Sequence, residues 1–110
     1  MNEIKQRFDD FGRELTVGDF VYIGKGTWSG AQIAVIRGLE KSMHIIELRK
    51  QWDRTRNEVN GYIPIEGHVV YGARSILKME PEWLLSFKDQ ELVRNLMNEK
   101  AKVLNGEYRK

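Results

Sequence analysis

A glycine-rich loop between two short β patterns, within residues 15–37, limits the possible folds of this chain more than any other segment. Residues 20–23 (Phe-Val-Tyr-Ile) are aromatic or β-branched, types that fit a pleated sheet, and Gly18-Asp19 before them predicts a turn. The β pattern resumes at residues 33–36. Between the two patterns lie Gly24, Gly26 and Gly30, which suit a loop with positive φ angles or close backbone approach. The segment therefore predicts a strand, a glycine loop and a second strand.

This unit, within residues 18–37, resembles the KOW motif, a short element that opens a small SH3-like barrel in several transcription elongation factors and ribosomal proteins. The residues that match the motif are Gly18, Asp19, Val21, Ile23, Gly26, Gly30 and Val35. Two positions depart from it: Ser29 stands where a lysine is usual, and Ile33 where a second loop glycine is expected. The resemblance implies an SH3-like barrel with a role in nucleic-acid binding or transcription, and the lysine that is missing is one that could touch phosphate.

Length and composition predict one folded domain. The 110 residues suffice for a single core, and an apolar fraction of 41% excludes wholesale disorder. The absence of cysteine excludes disulfides, thiolate zinc sites and a cysteine nucleophile, and it fits a reducing compartment. No apolar run approaches the roughly 18 residues of a membrane span, and the first residues lack the apolar core of a signal peptide. We therefore expect a cytoplasmic protein that does not contact a membrane.

The small net charge of +2 is unevenly distributed. Residues 1–24 carry three basic and five acidic side chains, residues 25–78 carry nine and five, and residues 79–110 carry six of each. The positive excess therefore lies in the predicted β region. Clustered positive charge favours phosphate binding because each neutralised phosphate releases a counterion. The alternative is an ordinary charged surface that maintains solubility.

The N-terminal region predicts a short helix, and the middle of the chain predicts further strands. Ile4, Phe8 and Phe11 have the spacing of an amphipathic helix that Gly12 would end. Residues 43–48 read as a third strand. The segments predicted to complete a barrel are residues 62–65 and 68–71, with Pro64 at an edge or bulge, and residues 73–79.

Residues 49–61 are too polar for a core element, and we expect them to form a projecting loop or hairpin arm. The arm ends in Asn60-Gly61, a dipeptide that favours a two-residue type I′ hairpin turn. Such an arm would present its side chains to solvent on both sides of the turn.

The C-terminal region predicts two helices. Pro81 suits a first helical position, and Trp83, Leu84 and Phe87 then fall on one face. Ser86 and Asp89 have the spacing of a capping box for the second helix. Its apolar stripe, up to Gly106, consists of Leu92, Val93, Leu96, Met97, Ala101 and Leu104. This stripe either packs against the barrel or forms a surface for a protein partner or a homodimer.

The predicted architecture is mostly β: a small SH3-like β-barrel with a short N-terminal helix and a C-terminal helical extension. The N-terminal helix or arm covers residues 1–14, the KOW-like barrel 15–79 and the extension 80–110, all in a single compact domain.

Motifs for catalysis, nucleotides and metals are missing from the sequence. The glycines of residues 24–30 match neither the phosphate-loop spacing nor the dinucleotide spacing, and a strand rather than a helix follows them. His44 and His68 have no further ligand at metal spacing. We therefore predict no enzyme activity, no cofactor and no metal.

Basic residues surround two tryptophans in the predicted loop and arm, a composition that suits nucleic acid because Trp stacks on bases and Arg binds phosphate. The candidate nucleic-acid-binding residues are Lys25, Trp28, Arg37, Arg49, Lys50, Trp52, Arg54 and Arg56. Alternatively, Asp53 and Glu58 pair with the arginines, and the tryptophans are buried in the core.

The sequence therefore predicts an accessory protein that binds DNA or RNA, or acts in transcription, mainly through phosphate contacts. The alternative is a protein-binding adaptor or regulator that docks on a larger machine through a barrel groove or its C-terminal helix.

Overall fold

A computed structural model describes residues 7–24, 32–56, 58–72 and 74–108, with the backbone alone at 51–53 and 58–60. The strands in this part of the chain are β1 Arg7–Phe8, β2 Glu14–Leu15, β3 Phe20–Ile23, β4 Gln32–Leu39, β5 Met43–Asp53, β6 Glu58–Val69 and β7 Ile76–Met79. The helices are α1 Pro81–Leu85 and α2 Gln90–Leu104. The fold is mostly β, as predicted.

Strands β3 to β7 form one antiparallel sheet in the order β6-β5-β4-β3-β7. The first four strands follow one another as a meander, and β7 returns to pair with β3 on its other side. No pairing joins the edge strands β6 and β7 within the described residues, so the sheet is open. The prediction of a closed SH3-like barrel is therefore not confirmed, because β7, in the segment predicted to close the barrel, extends one edge of the sheet by pairing with β3.

Each face of the sheet carries its own apolar core because side chains alternate between faces along a strand. On one face the core residues include Val21, Ala34 and Ile45, with Leu15 from β2 against them. On the other face the cluster consists of Phe20, Ile33, Val35, Ile46, Leu84, Val93, Leu96 and Val103. The helices thus cover the second face, and a sheet buried on both sides explains the nearly continuous apolar run in β4.

The hairpin arm predicted at residues 49–61 is present, but its turn lies elsewhere. Strand β5 runs to Asp53, which pairs with Glu58, and residues 54–56 lie in the turn. Gly61, with φ of +81°, lies instead inside β6 at a shift of register between the pairs Lys50↔Tyr62 and Trp52↔Val59. One residue of β5 therefore opposes two of β6, which is a β-bulge with glycine in the left-handed region. The prediction of a turn at Asn60-Gly61 is wrong. The left-handed backbone conformation that glycine favours in a type I′ turn serves a β-bulge at Gly61 instead.

The strands predicted at residues 62–65 and 68–71 are largely one long strand, β6. Pro64 lies in it opposite Leu48, and β6 is an edge strand, where a residue without N–H is tolerated. The prediction of an edge position for Pro64 is confirmed.

The N-terminal helix predicted from Ile4, Phe8 and Phe11 is not found in the described residues. Strands β1 and β2 pair as a small hairpin, and Gly12 has φ of +80° in its turn. The Asp9 carboxylate accepts hydrogen bonds from the backbone N–H groups of Phe11 and Arg13, at 3.0 and 2.8 Å. These bonds stabilise a turn at the residues that would have continued a helix. Ile4 lies outside the described residues.

The two C-terminal helices are confirmed, but not the predicted capping box. Pro81 begins α1, and Ser86 follows it as the C-terminal cap. Asp89 caps α2 directly, because its Oδ1 accepts a hydrogen bond from the N–H of Leu92 at 3.1 Å. Gly106, with φ of +79°, follows the end of α2 as predicted.

The apolar stripe of α2 is divided between core and surface. Val93 and Leu96 are buried against the sheet, whereas Met97 and Leu104 are 41% and 61% exposed. Packing therefore accounts for one side of the stripe only. Neither described helix is long and apolar enough to cross a membrane.

Candidate nucleic-acid interface

The structure brings four of the predicted basic residues together in the hairpin arm, which consists of residues 48–56 and 58–63 of β5, β6 and the turn between them. Arg49 and Lys50 are successive exposed residues of β5, so they project from opposite faces of the ribbon. Arg54 and Arg56 are exposed in the turn at its tip. The arm therefore presents positive charge on both faces and at its end.

Among the described residues, the arm extends beyond the rest of the sheet. The pairing of β5 with β4 ends at the Ala34↔Glu47 pair, and farther along the chain the described part of β5 pairs with β6 alone. From Leu48 to Arg54 the chain advances about 20 Å at 3.3 Å per residue. A two-stranded ribbon of this kind has the width that the major groove of B-DNA admits.

Only one of the two predicted tryptophans, Trp52, lies within the described residues. Trp52 lies in β5 opposite Val59, so its backbone belongs to the arm, as predicted. Lys25 and Trp28 lie outside the described residues.

Arg37 is separated from the arm. It lies in β4, where its Nε is 3.3 Å from Glu66 Oε1 and its Nη2 is 3.4 Å from His44 Nδ1. His44 is near the start of β5 and Arg54 follows its end, a separation of roughly 30 Å along the strand. Arg37 therefore serves an ion pair within the sheet and does not share the surface of the arm tip.

Asp89 fixes the base of the arm to α2. The hydroxyl of Tyr62, on β6, donates a hydrogen bond to Asp89 Oδ2, while Asp89 Oδ1 caps the helix. The hydrogen bond to Asp89 raises the pKa of Tyr62 to about 12, with burial adding to the effect. The same bond, together with that from Leu92, holds the pKa of Asp89 below its ordinary value, and the Lys50 charge acts in the same direction. One carboxylate thus orients both the helix and the ribbon.

This connection was missed from the sequence. Tyr62 and Asp89 are 27 residues apart, and neither residue lies in a motif that predicts their contact. The only local signal was that Asp is a preferred helix cap, which identifies one half of the pair.

A polar cleft of about 510 Å³ lies beside the base of the arm. In it, Arg49 Nη2 donates to Glu47 Oε1 at 3.2 Å, and the Gln32 amide donates to the other Glu47 oxygen. The arginine side chain is 65% exposed, so this pair contributes little stability and leaves the guanidinium accessible to other acceptors. The cleft thus extends the surface of the arm with further hydrogen-bonding groups.

The two histidines lie side by side on neighbouring strands. The rings of His44 and His68 are 6.4 Å apart between centroids, on paired positions of β5 and β6. Across the residues that the structure describes, no group of three or more His, Asp or Glu side chains is placed to hold a metal ion.

Comparisons with protein-family models, with curated proteins and with solved structures gave no significant match. The resemblance to the KOW motif therefore stays a prediction from the sequence.

Proposed function

We propose that the protein is a nucleic-acid-binding accessory protein whose β5–β6 hairpin arm contacts phosphates along a groove. The observation that carries this proposal is the arm itself: a two-stranded ribbon with exposed Arg49, Lys50, Arg54 and Arg56 on its faces and tip. Lys and Arg on a ribbon suit phosphate contacts that position a protein without reading bases.

The attachment of the arm supports the proposal. Tyr62 and Asp89 hold the base of the ribbon against α2, so the basic side chains project from a ribbon that is anchored at its base. A preorganised arm loses less conformational entropy on binding than a flexible loop of the same composition. The excess of positive charge in residues 25–78 acts in the same direction.

The test compares two triple variants that each remove three positive charges. Lys50→Ala, Arg54→Ala and Arg56→Ala remove charge from the arm, whereas Lys41→Ala, Lys88→Ala and Arg94→Ala remove it from exposed positions elsewhere. Fluorescence anisotropy with labelled duplex DNA and single-stranded RNA measures the affinity of each. We expect the arm variant to bind less tightly on every sequence and to lose about one unit of salt slope per phosphate contact removed. Equal losses in the two variants would show that net charge, and not the arm, determines binding.

A protein-binding adaptor is the second candidate, and exposed apolar side chains beside α2 favour it. Leu85 is 72% exposed and Met97 41% exposed, and both line a groove of about 250 Å³ with Val93 and Arg94. An apolar groove between two helices is a common way of binding an apolar side chain of a partner. Binding through this groove would be insensitive to salt, which distinguishes it from phosphate contacts.

A further inference from the structure

Two exposed aromatic rings flank one arginine on a surface formed by the β1–β2 turn and α1. The Arg13 guanidinium carbon is 5.9 Å from the ring centroid of Phe11 and 5.3 Å from that of Trp83. Phe11 is 76% exposed and Trp83 47% exposed. We name these three residues the Phe11–Trp83 patch. Tryptophan and arginine are the residue types most enriched among the residues that dominate binding energy at protein interfaces.

The patch is held in place by buried hydrogen bonds. Asp9, whose side chain is fully buried, accepts from Arg13 Nε at 2.9 Å and is 2.8 Å from Arg13 Nη2. The same carboxylate accepts from the backbone N–H of Phe11 and from that of Lys78 in β7. Arg13 is thereby fixed between the rings before any partner arrives, so binding costs little side-chain entropy.

Carboxylates adjoin the residues of the patch, three of them in the chain and one in space. Asp10 adjoins Phe11, Glu14 adjoins Arg13 and Glu82 adjoins Trp83 in the chain, and all three are exposed. Glu80 Oε1 is 3.7 Å from Arg13 Nη1. Asp9 balances the charge of Arg13, and Lys78, which donates to the carbonyl of Glu14, is paired with Asp19. The remaining charge of these groups is therefore negative. Such negative charge repels phosphate and attracts lysine and arginine.

We propose that the Phe11–Trp83 patch binds a basic segment of another protein, with aliphatic side chains on the two rings and lysine or arginine against the adjoining carboxylates. The rings supply apolar contact area, and the carboxylates select the sign of the partner's charge. This surface differs from the basic arm in composition and in charge, and the inference does not depend on the proposed nucleic-acid binding.

The test is a titration of the ¹⁵N-labelled full chain with a short peptide that repeats Lys-Leu-Arg, followed by two-dimensional NMR. We expect the largest shifts at the Trp83 indole N–H and at the amides of Phe11 and Arg13. Phe11→Ala, at an exposed position that leaves the fold intact, should weaken binding about tenfold, and Glu80→Gln with Glu82→Gln should do the same. Val70→Ala, which truncates another exposed apolar residue, is the control and should bind as the parent does.

Three results would overturn the proposal. The first is unchanged affinity in both the Phe11 variant and the glutamine variant. The second is a matched peptide with Glu in place of Lys and Arg that binds as tightly. The third is a set of shifts that excludes Phe11, Arg13 and Trp83.

Discussion

Asp9 connects three parts of the fold through one buried carboxylate. It closes the β1–β2 turn by accepting from Phe11 and Arg13, and it binds the outward-facing N–H of Lys78 on the edge strand β7. The backbone N–H of Asp10 also donates to the carbonyl of Ile76, at 2.9 Å. The small hairpin therefore covers one edge of the sheet, where unpaired backbone groups would otherwise be open to pairing with another chain.

Replacing Asp9 with asparagine should destabilise the fold by about 2–3 kcal/mol, because a buried carboxylate that accepts several hydrogen bonds loses its charge and Arg13 loses the closer of its two carboxylate partners. Chemical denaturation measures this change in the free energy of unfolding. Asp10→Asn, at an exposed neighbouring position, should stay within about 0.5 kcal/mol of the parent. Equal effects of the two substitutions would show that the Asp9 network does not stabilise the hairpin.

The loss of stability at acidic pH should also depend on Asp9. Burial by itself would raise the pKa of Asp9, but hydrogen bonds from Lys78, Arg13 and Phe11 outweigh it and hold the pKa below its ordinary value. The folded state therefore binds this proton less readily than the unfolded state, so the contribution of Asp9 is complete above about pH 4 and is lost as pH falls through the folded pKa. We expect the parent to lose more stability than Asp9→Asn between neutral pH and pH 3 in urea denaturation. Parallel pH profiles of the two proteins would contradict this assignment.

At the scale of elements, the arm and α2 are joined through Tyr62 and Asp89. Tyr62→Phe removes the hydroxyl and keeps the ring, so we expect a loss of about 1–2 kcal/mol and faster amide hydrogen exchange in residues 58–63. The pKa of Asp89 should rise toward its ordinary value in the variant, which a carboxyl NMR titration measures directly. Tyr22→Phe, a half-exposed residue of β3, is the matched control. An unchanged Asp89 pKa in Tyr62→Phe would refute the contact.

The two sides of the α2 stripe should respond differently to truncation. Leu96 is fully buried, so Leu96→Ala should cost about 2–5 kcal/mol of stability. Met97 is 41% exposed, so Met97→Ala should cost less than about 1 kcal/mol and, if the groove beside Leu85 binds a partner, should weaken association. Denaturation and sedimentation of both variants measure the two quantities. A larger stability loss in Met97→Ala than in Leu96→Ala would contradict the assignment of faces.

The sequence predicted elements whose signals are local and missed those set by distant contacts. Strands β3 and β4 follow from their runs of β-branched residues, and α2 from its period, its Asp89 cap and Gly106. Ile4, Phe8 and Phe11 have helical spacing, yet the distant backbone of β7 and the Asp9 carboxylate favour a hairpin in residues 7–15. Glu99 is a second residue whose placement depends on distant contacts, because it lies on the buried side of α2. Lys102 Nζ, at 3.2 Å, and the Tyr108 hydroxyl donate to its carboxylate.

For the candidate site, composition predicted the basic arm, but only the folded chain shows that Arg37 is paired elsewhere.

At the scale of the whole molecule, the chain separates its charges between two surfaces. The arm carries arginine and lysine at residues 49–56, whereas the Phe11–Trp83 patch is bordered by Asp10, Glu14, Glu80 and Glu82. Opposite charge on separate surfaces allows one chain to bind a polyanion and a basic partner without competition between them. We propose that the positive surface binds nucleic acid through phosphates.

The salt dependence of binding tests that claim most directly. The unmodified protein is titrated against labelled duplex DNA, single-stranded DNA and RNA at several salt concentrations, and the logarithm of the association constant is plotted against the logarithm of salt concentration. If three or four arm residues each neutralise one phosphate, the plot for duplex DNA should be linear with a slope of about −3 to −4, and unrelated sequences should give similar affinities. A slope near zero, or no binding of any of the three nucleic acids at low salt, would contradict the account.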